Sequence, residues 1–410
     1  MKLDIKFWLK FSLLNLCIVA FLGVLMRYKI GFEFPYLDQK HLQHSHSHFA
    51  FAGWITHTLM TLMIYYLQTK IIGFQGHHYK KTIIANLICS YGMLISFIIQ
   101  GYGLFSIFFS TASILVSCYF GYQYFKDLKH IDSDYLSKNW FKAGILFNVF
   151  SSFGTFYLAY MMASKNLVQN LYLSSIYFYL HFQYNGWFFF ASMGLLLGLL
   201  NLRKTDHPFY ETSFKLFALA CVPAYFLSTL WLELPLWLYV ITVASALIQV
   251  FAWFKLVSII SKTRGDFMEN YAPLLRYILL FVGFALSIKL LLQLGSTIPS
   301  LSQLAFGFRP IVIAYLHLVL LAVFSLFLLF YIFNSHLFVL SKNIKFGLAI
   351  FIVGVSLNEI ILAVQGIASF SYTQIPYINV QLFAAALVLL FGIGYTSYFS
   401  IKKVKNSPPL

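Results

Sequence analysis

Apolar runs long enough to cross a lipid bilayer follow one another along the whole chain, and nothing of domain size separates them. A helix needs about 20 such residues to traverse the hydrocarbon core. Twelve runs meet that length, near 7–27, 47–69, 82–101, 103–125, 140–163, 172–201, 213–232, 235–259, 271–294, 310–334, 345–368 and 375–400. The reading is an all-α, polytopic integral membrane protein whose twelve helices form one transmembrane domain over 1–410. Charge supports it: only 10% of residues are charged, where a soluble protein has about a quarter.

The net charge of +16 brings nucleic acid to mind, but no compact basic module or nucleic-acid motif accompanies it. No nucleic-acid partner is expected; the cations fall in short loops between apolar runs. Short cytoplasmic loops carry the excess of Lys and Arg. With a cytoplasmic N-terminus and twelve crossings, 22 of the 28 Lys and Arg residues fall inside, among them Lys402, Lys403 and Lys405 at the C-terminal end. Arg27, Lys29, Lys40, Lys165, Lys289 and Arg309 are left on or near the outside. Adding or losing one span would scramble this alternation, so both termini are expected on the cytoplasmic side of a bacterial-type inner membrane, with membrane lipid as the surrounding partner. The apolar stretch after Met1–Lys6 ends at Arg27 without a small-residue cleavage site and is expected to remain as the first span.

Five of the twelve histidines, His41, His44, His46, His48 and His57, lie within seventeen residues at the mouth of the second run. An ionisable or polar group inside a membrane marks a candidate functional site because of its cost there. Runs 2, 6 and 10 all cross from outside to inside, and His48, His181 and His317 fall about 5–15 Å below the outer surface of their helices. Helical spacing divides the opening cluster into two stripes, His41, His44 and His48 on one, His46 with Ala50, Gly53 and His57 on the other. A flat macrocycle needs small residues to approach a helix and an imidazole to reach its iron. Either His46 or His48, above Ala50, Ala52 and Gly53, can supply that surface. Two histidines from different helices would fill both axial positions of a low-spin, electron-transfer haem. Cys17, Cys89, Cys118 and Cys221 form no C-x-x-C-H pattern, so covalent c-type attachment is not expected. The other histidines, His77, His78, His130, His207 and His336, are expected to be ordinary loop or interfacial residues.

These motifs resemble the catalytic subunit of the haem-copper oxidase and nitric oxide reductase superfamily. His46-Ser-His48-Phe-Ala-Phe-Ala-Gly53-Trp54 is similar to the helix-2 motif of divergent members, in which the second histidine binds the low-spin haem. His181-Phe-Gln-Tyr184-Asn185-Gly186-Trp187 looks like the helix-6 motif, whose histidine binds the active-site copper or non-haem iron, and His317 falls where helix 10 holds a haem ligand. The resemblance implies His48 and His317 as haem ligands, His46 as the alternative, and His181 as a third metal-side residue. It also implies what is missing: the seventh run has no histidine pair and the tenth has one histidine instead of two. A complete oxygen-reducing centre and a bound copper are therefore not expected. What remains is a non-covalent b-type haem, serving electron transfer or the binding or sensing of a diatomic gas such as nitric oxide or dioxygen, with a redox partner or accessory subunit.

Arg309, with Arg27 and Lys29, is a candidate partner for haem propionates. Asn358-Glu359 puts a carboxylate in the outer half of the eleventh run, where it must be neutral, paired or hydrated. It is a candidate proton relay or second-shell group, or a partner for Lys289, and Tyr184 is a further candidate beside the histidines. The rival reading is a proton- or metal-coupled transporter using the intramembrane histidines and Glu359. No inverted repeat and no matched pair of Gly/Pro-broken helices supports it.

Overall fold

The computed structural model describes residues 2–402, and those residues form an all-α bundle. Lys403 and Lys405 lie outside the described residues. In chain order the long helices are α1 (Ile5–Gly31), α2 (39–70), α3 (Lys80–Gln100), α4 (Leu104–Asp127), α5 (Ser137–Ala163), α6 (169–199), α7 (Pro208–Cys221, continued by a 3₁₀ segment Pro223–Thr229), α8 (Leu236–Thr263), α9 (Pro273–Gly295), α10 (Arg309–Asn334), α11 (Lys342–Phe370) and α12 (Ile378–Ile401). A short helix, Pro299–Gly307, precedes α10.

Among the described residues nine helices are long and apolar enough to cross a membrane, or ten if α7 and its continuation, bent by 45°, count as one span. The sequence expects twelve. The two segments that make up the difference, α2 and α6, are helical throughout. They are also the segments that carry His46, His48 and His57, and His181, Gln183 and Asn185.

The core forms around α2, α5, α6 and the C-terminal half of α10. Trp54, Trp140, Trp187, Tyr66 and Phe141 are fully buried there, and every residue of Leu326–Phe333 is buried. A helix apolar on all sides belongs in such a centre. α4 is the opposite case, with only 17% of its apolar window covered by protein.

At the far side, α11 and α12 touch through glycines. A Cβ on Gly392 would lie 2.5 Å from the Phe351 nitrogen, and one on Gly347 would lie 2.9 Å from the Thr396 nitrogen. Small residues let backbones approach in this way where lipid gives no hydrophobic drive. α12 is held in turn to α1, where Ser397 Oγ donates to the Leu13 carbonyl at 3.3 Å and Cys17 Sγ to Ser397 Oγ at 3.1 Å.

Three helices depart from regular winding. α2 widens into a π-helix at Ala50–Thr56, α6 at Phe182–Phe188 and α10 at Leu318–Ser325. These are the helices that carry His48, His181 and His317, and each widened turn starts one or two residues after the histidine. The turns are bonded to one another: Trp54 Nε1 donates to Ser325 Oγ at 2.8 Å and Trp187 Nε1 to Thr56 Oγ1 at 3.3 Å. π-turns inside α-helices concentrate at functional sites.

Candidate functional site

The first corner of the site is made by α1, α2 and α10. α2 begins well before its apolar run because the Asp38 carboxylate accepts from the amides of Lys40 and His41, at 2.8 and 3.0 Å. Such side-chain acceptors satisfy the free N–H groups of a first helical turn, and these bonds hold the Asp38 carboxyl below the usual carboxylate range. The capped extension carries the histidines into the bundle.

The two stripes of α2 face different neighbours. His48 stacks on Phe97, ring centroids 4.4 Å apart, and its Nε2 lies 3.3 Å from the Tyr102 hydroxyl. His44 meets Tyr102 edge-on at 4.6 Å, and the His41 ring sits against Gly101. His46, Gly53 and His57 run along α1: a Cβ on Gly23 would be 3.7 Å from His46 Cε1, Asn15 donates to the Gly53 carbonyl at 2.6 Å, and His57 Nε2 lies 3.4 Å from the Trp8 carbonyl.

His46 is the histidine brought near His317. The two lie within electrostatic reach of each other, and Arg27 of α1 reaches both. The His46 ring lies near the Val19 backbone, and its Nδ1 is buried without a partner. His317 Nδ1 lies 2.8 Å from the Ile313 carbonyl of its own helix. A ring nitrogen beside a carbonyl must be the protonated one, so a neutral His317 keeps its lone pair on Nε2. The His317 ring is thus anchored by one nitrogen and has the other to give, which is how ligand histidines are oriented, and the His46 ring has a buried nitrogen free. Arg27 makes no hydrogen bond or ion pair among the described residues. Arg309, at the N-terminal end of α10, donates to Gln43 Oε1 of α2 at 3.0 Å.

The second corner, between α6, α7 and α9, is closed. His181 is fully buried; its Nε2 lies 2.9 Å from the Cys221 carbonyl and its Nδ1 3.1 Å from Asn185 Nδ2. Asn185 Oδ1 accepts from the buried Lys289 ammonium, and Cys221 Sγ donates to the Asn185 carbonyl at 3.7 Å. Pro223 explains the free carbonyl. At the bend it starts, the Tyr225 amide bonds back to Val222, at 3.2 Å, rather than to Cys221, and the Cys221 oxygen is left for His181.

Lys289 therefore partners Asn185 and not Glu359, whose Oε1 accepts from Asn358 Nδ2 at 3.1 Å. Tyr184 and Tyr315 lie between the corners as an edge-on pair 6.2 Å apart, with the Tyr315 hydroxyl buried and unpartnered. Among the described residues no three His, Cys, Asp or Glu side chains gather to hold a metal ion. Neither the Asn185–Lys289–Cys221 network nor the nearness of Arg27 to the histidines is expected from the sequence motifs.

No protein-family model matches this chain, and no curated protein is similar to it.

Proposed function

We propose that this is a twelve-span membrane protein, its termini on the cytoplasmic side of an inner membrane, that binds one b-type haem between His46 and His317 and passes electrons through it. It would be a divergent relative of the haem-copper oxidase subunit I superfamily without a complete copper site. The observation that carries the reading is a pair of imidazoles, each with a free nitrogen, from two helices beside an unpaired arginine.

The orphaned Nδ1 of His46 and the lone pair on His317 Nε2 would hold a haem iron, which would supply reversible one-electron chemistry there. His46 takes the ligand role because its face of α2 turns toward His317, whereas His48 stacks on Phe97. Arg27 and Arg309 supply cations for propionates at the outer end. Double histidine ligation leaves no open position for a gas, so electron transfer is favoured over gas binding. His181, with both nitrogens engaged, takes no ligand role.

The test is a reduced-minus-oxidised optical spectrum of the detergent-purified protein expressed with ample haem supply. A low-spin haem spectrum is expected, lost in His46→Ala and in His317→Ala and kept in His48→Ala and His181→Ala. A flat spectrum from the unaltered protein overturns the proposal and returns the chain to the transporter reading.

A further inference from the structure

Away from the histidines, the lipid-facing side of the bundle holds a polar recess that the haem reading does not use. It lies between α2, α4, α5 and α6, has a volume of about 40 Å³, and is lined by uncharged groups that include Thr56, Ser117, Asn148, Ser151, Tyr179 and Gln183. Asn148 Nδ2 donates to Ser117 Oγ at 2.9 Å, and Gln183 Nε2 donates to Asn148 Oδ1 and Ser151 Oγ at 2.9 and 2.8 Å. These bonds fix the amide of Gln183 with its oxygen left over. Among the described residues neither Gln183 Oε1 nor the Tyr179 hydroxyl has a hydrogen-bond partner, so the recess offers one free acceptor and one free donor.

An apolar groove of about 480 Å³ adjoins it and shares Cys118 with it, lined by residues such as Phe125, Ile145, Phe147, Phe150 and Phe153. The groove opens beside α4, the helix least covered by protein. No Lys, Arg, His, Asp or Glu lines either space. A charged head seated in the recess would be an uncompensated ion in an apolar setting, costly to bury. A hydroxyl both donates and accepts, which matches what Gln183 and Tyr179 leave open. At roughly 10–15 Å³ per water-sized group, the recess takes a head of a few heavy atoms and no more.

We infer that this recess and groove bind a membrane lipid with an uncharged hydroxyl head, the head between Gln183 and Tyr179 and the hydrocarbon chain in the groove past Cys118. The inference does not depend on the haem reading.

The test uses the full chain in phosphatidylcholine vesicles with a photoactivatable diazirine analogue of hexadecanol, and maps the labelled peptides. Saturable labelling of α4–α6 residues around the recess is expected, displaced by unlabelled hexadecanol and not by palmitate, which has the same chain and a charged head. Gln183→Leu should lower the labelling about fivefold, the loss of roughly one hydrogen bond. Cys118→Phe, which fills the junction and leaves the hydrogen bonds intact, should lower it as well. Equal displacement by alcohol and acid, or labelling that survives both substitutions, overturns the inference.

Discussion

His317 and His181 are the same residue type, each followed directly by a widened turn of its helix, yet their surroundings differ in kind. At His317 one ring nitrogen is tied to a carbonyl and the other is unspent, with an equally unspent His46 and an unpaired Arg27 close by. At His181 both nitrogens are engaged, and the network extends through Asn185 to a lysine ammonium. One corner has ligand capacity left over; the other has balanced its own. The presence of an intramembrane histidine is therefore a weaker signal than the hydrogen-bond inventory of its ring. The lysine sharpens the contrast, because its hydrogen bond takes up the oxygen of the same amide that meets the His181 ring.

The contrast predicts a double dissociation. His317→Ala should remove the haem spectrum completely and change the stability of the haem-free protein little. His181→Ala should keep the spectrum and lower stability by about 3 kcal/mol, through the cavity and the stranded amide of Asn185. Optical spectra and thermal unfolding of the two variants, with and without haem, decide it. Loss of the spectrum in His181→Ala would merge the two corners into one site.

A comparable loss is expected for Asn185→Leu, which strands the Lys289 ammonium and should cost about 3 kcal/mol. Adding Lys289→Met in the same chain should recover much of it, because an apolar pair replaces an uncompensated charge. If the double variant is no more stable than Asn185→Leu, Lys289 is not held by Asn185 in the folded protein.

Trp54→Phe removes the bond from α2 to Ser325 of α10. It should lower the unfolding free energy by about 1 kcal/mol and shift the haem absorption, while the equivalent Trp187→Phe, on the closed side, should affect stability alone.

The smallest effect concerns the entry to α2. The folded-state pKa of Asp38 is lowered, so its capping contribution is present above the unfolded value, near 3.9, and is lost as pH falls through the lowered folded value. Amide hydrogen exchange at Lys40 and His41 should quicken over that acidic range. Asp38→Ala should show the fast exchange at neutral pH, and unchanged exchange would remove Asp38 from the account of where α2 starts.

Much of this was legible in advance, for identifiable reasons. Helices longer than a bilayer is thick announce themselves by length and apolarity, and the two stripes of α2 follow from helical spacing alone, since His48 and His46 do face different neighbours. What hydropathy misplaces is the start of α2, because a histidine-rich, Asp-capped first turn has no apolar signature. Pairing lay beyond reach: spacing says which residues share a face and not which helix that face meets, so nothing in the sequence ranked His46 over His48 as the neighbour of His317. Lys289 carried a signal that was undervalued, a lysine in the middle of Ala-Leu-Ser-Ile-Lys-Leu-Leu-Leu, whose partner had to be another buried polar group. The engaged carbonyl of Cys221 depends on the bend at Pro223, and such long-range consequences of a proline have no local pattern.

The π-turns have a further consequence, for chain length. Each wide turn stores an extra residue relative to ordinary winding, so removing one residue from 318–325 would let α10 wind regularly with His317 still facing as it does, whereas removing one from a regular stretch such as 326–334 would swing the two ends of the helix by about 100° against each other. The same arithmetic applies to 50–56 and 182–188. The direction in which these imidazoles point is thus a matter of residue count, and a single-residue deletion in the regular winding between two of the helix's contacts, one that preserves every side chain of the site, would disperse it as thoroughly as removing a histidine, while the same deletion inside a wide turn would be absorbed.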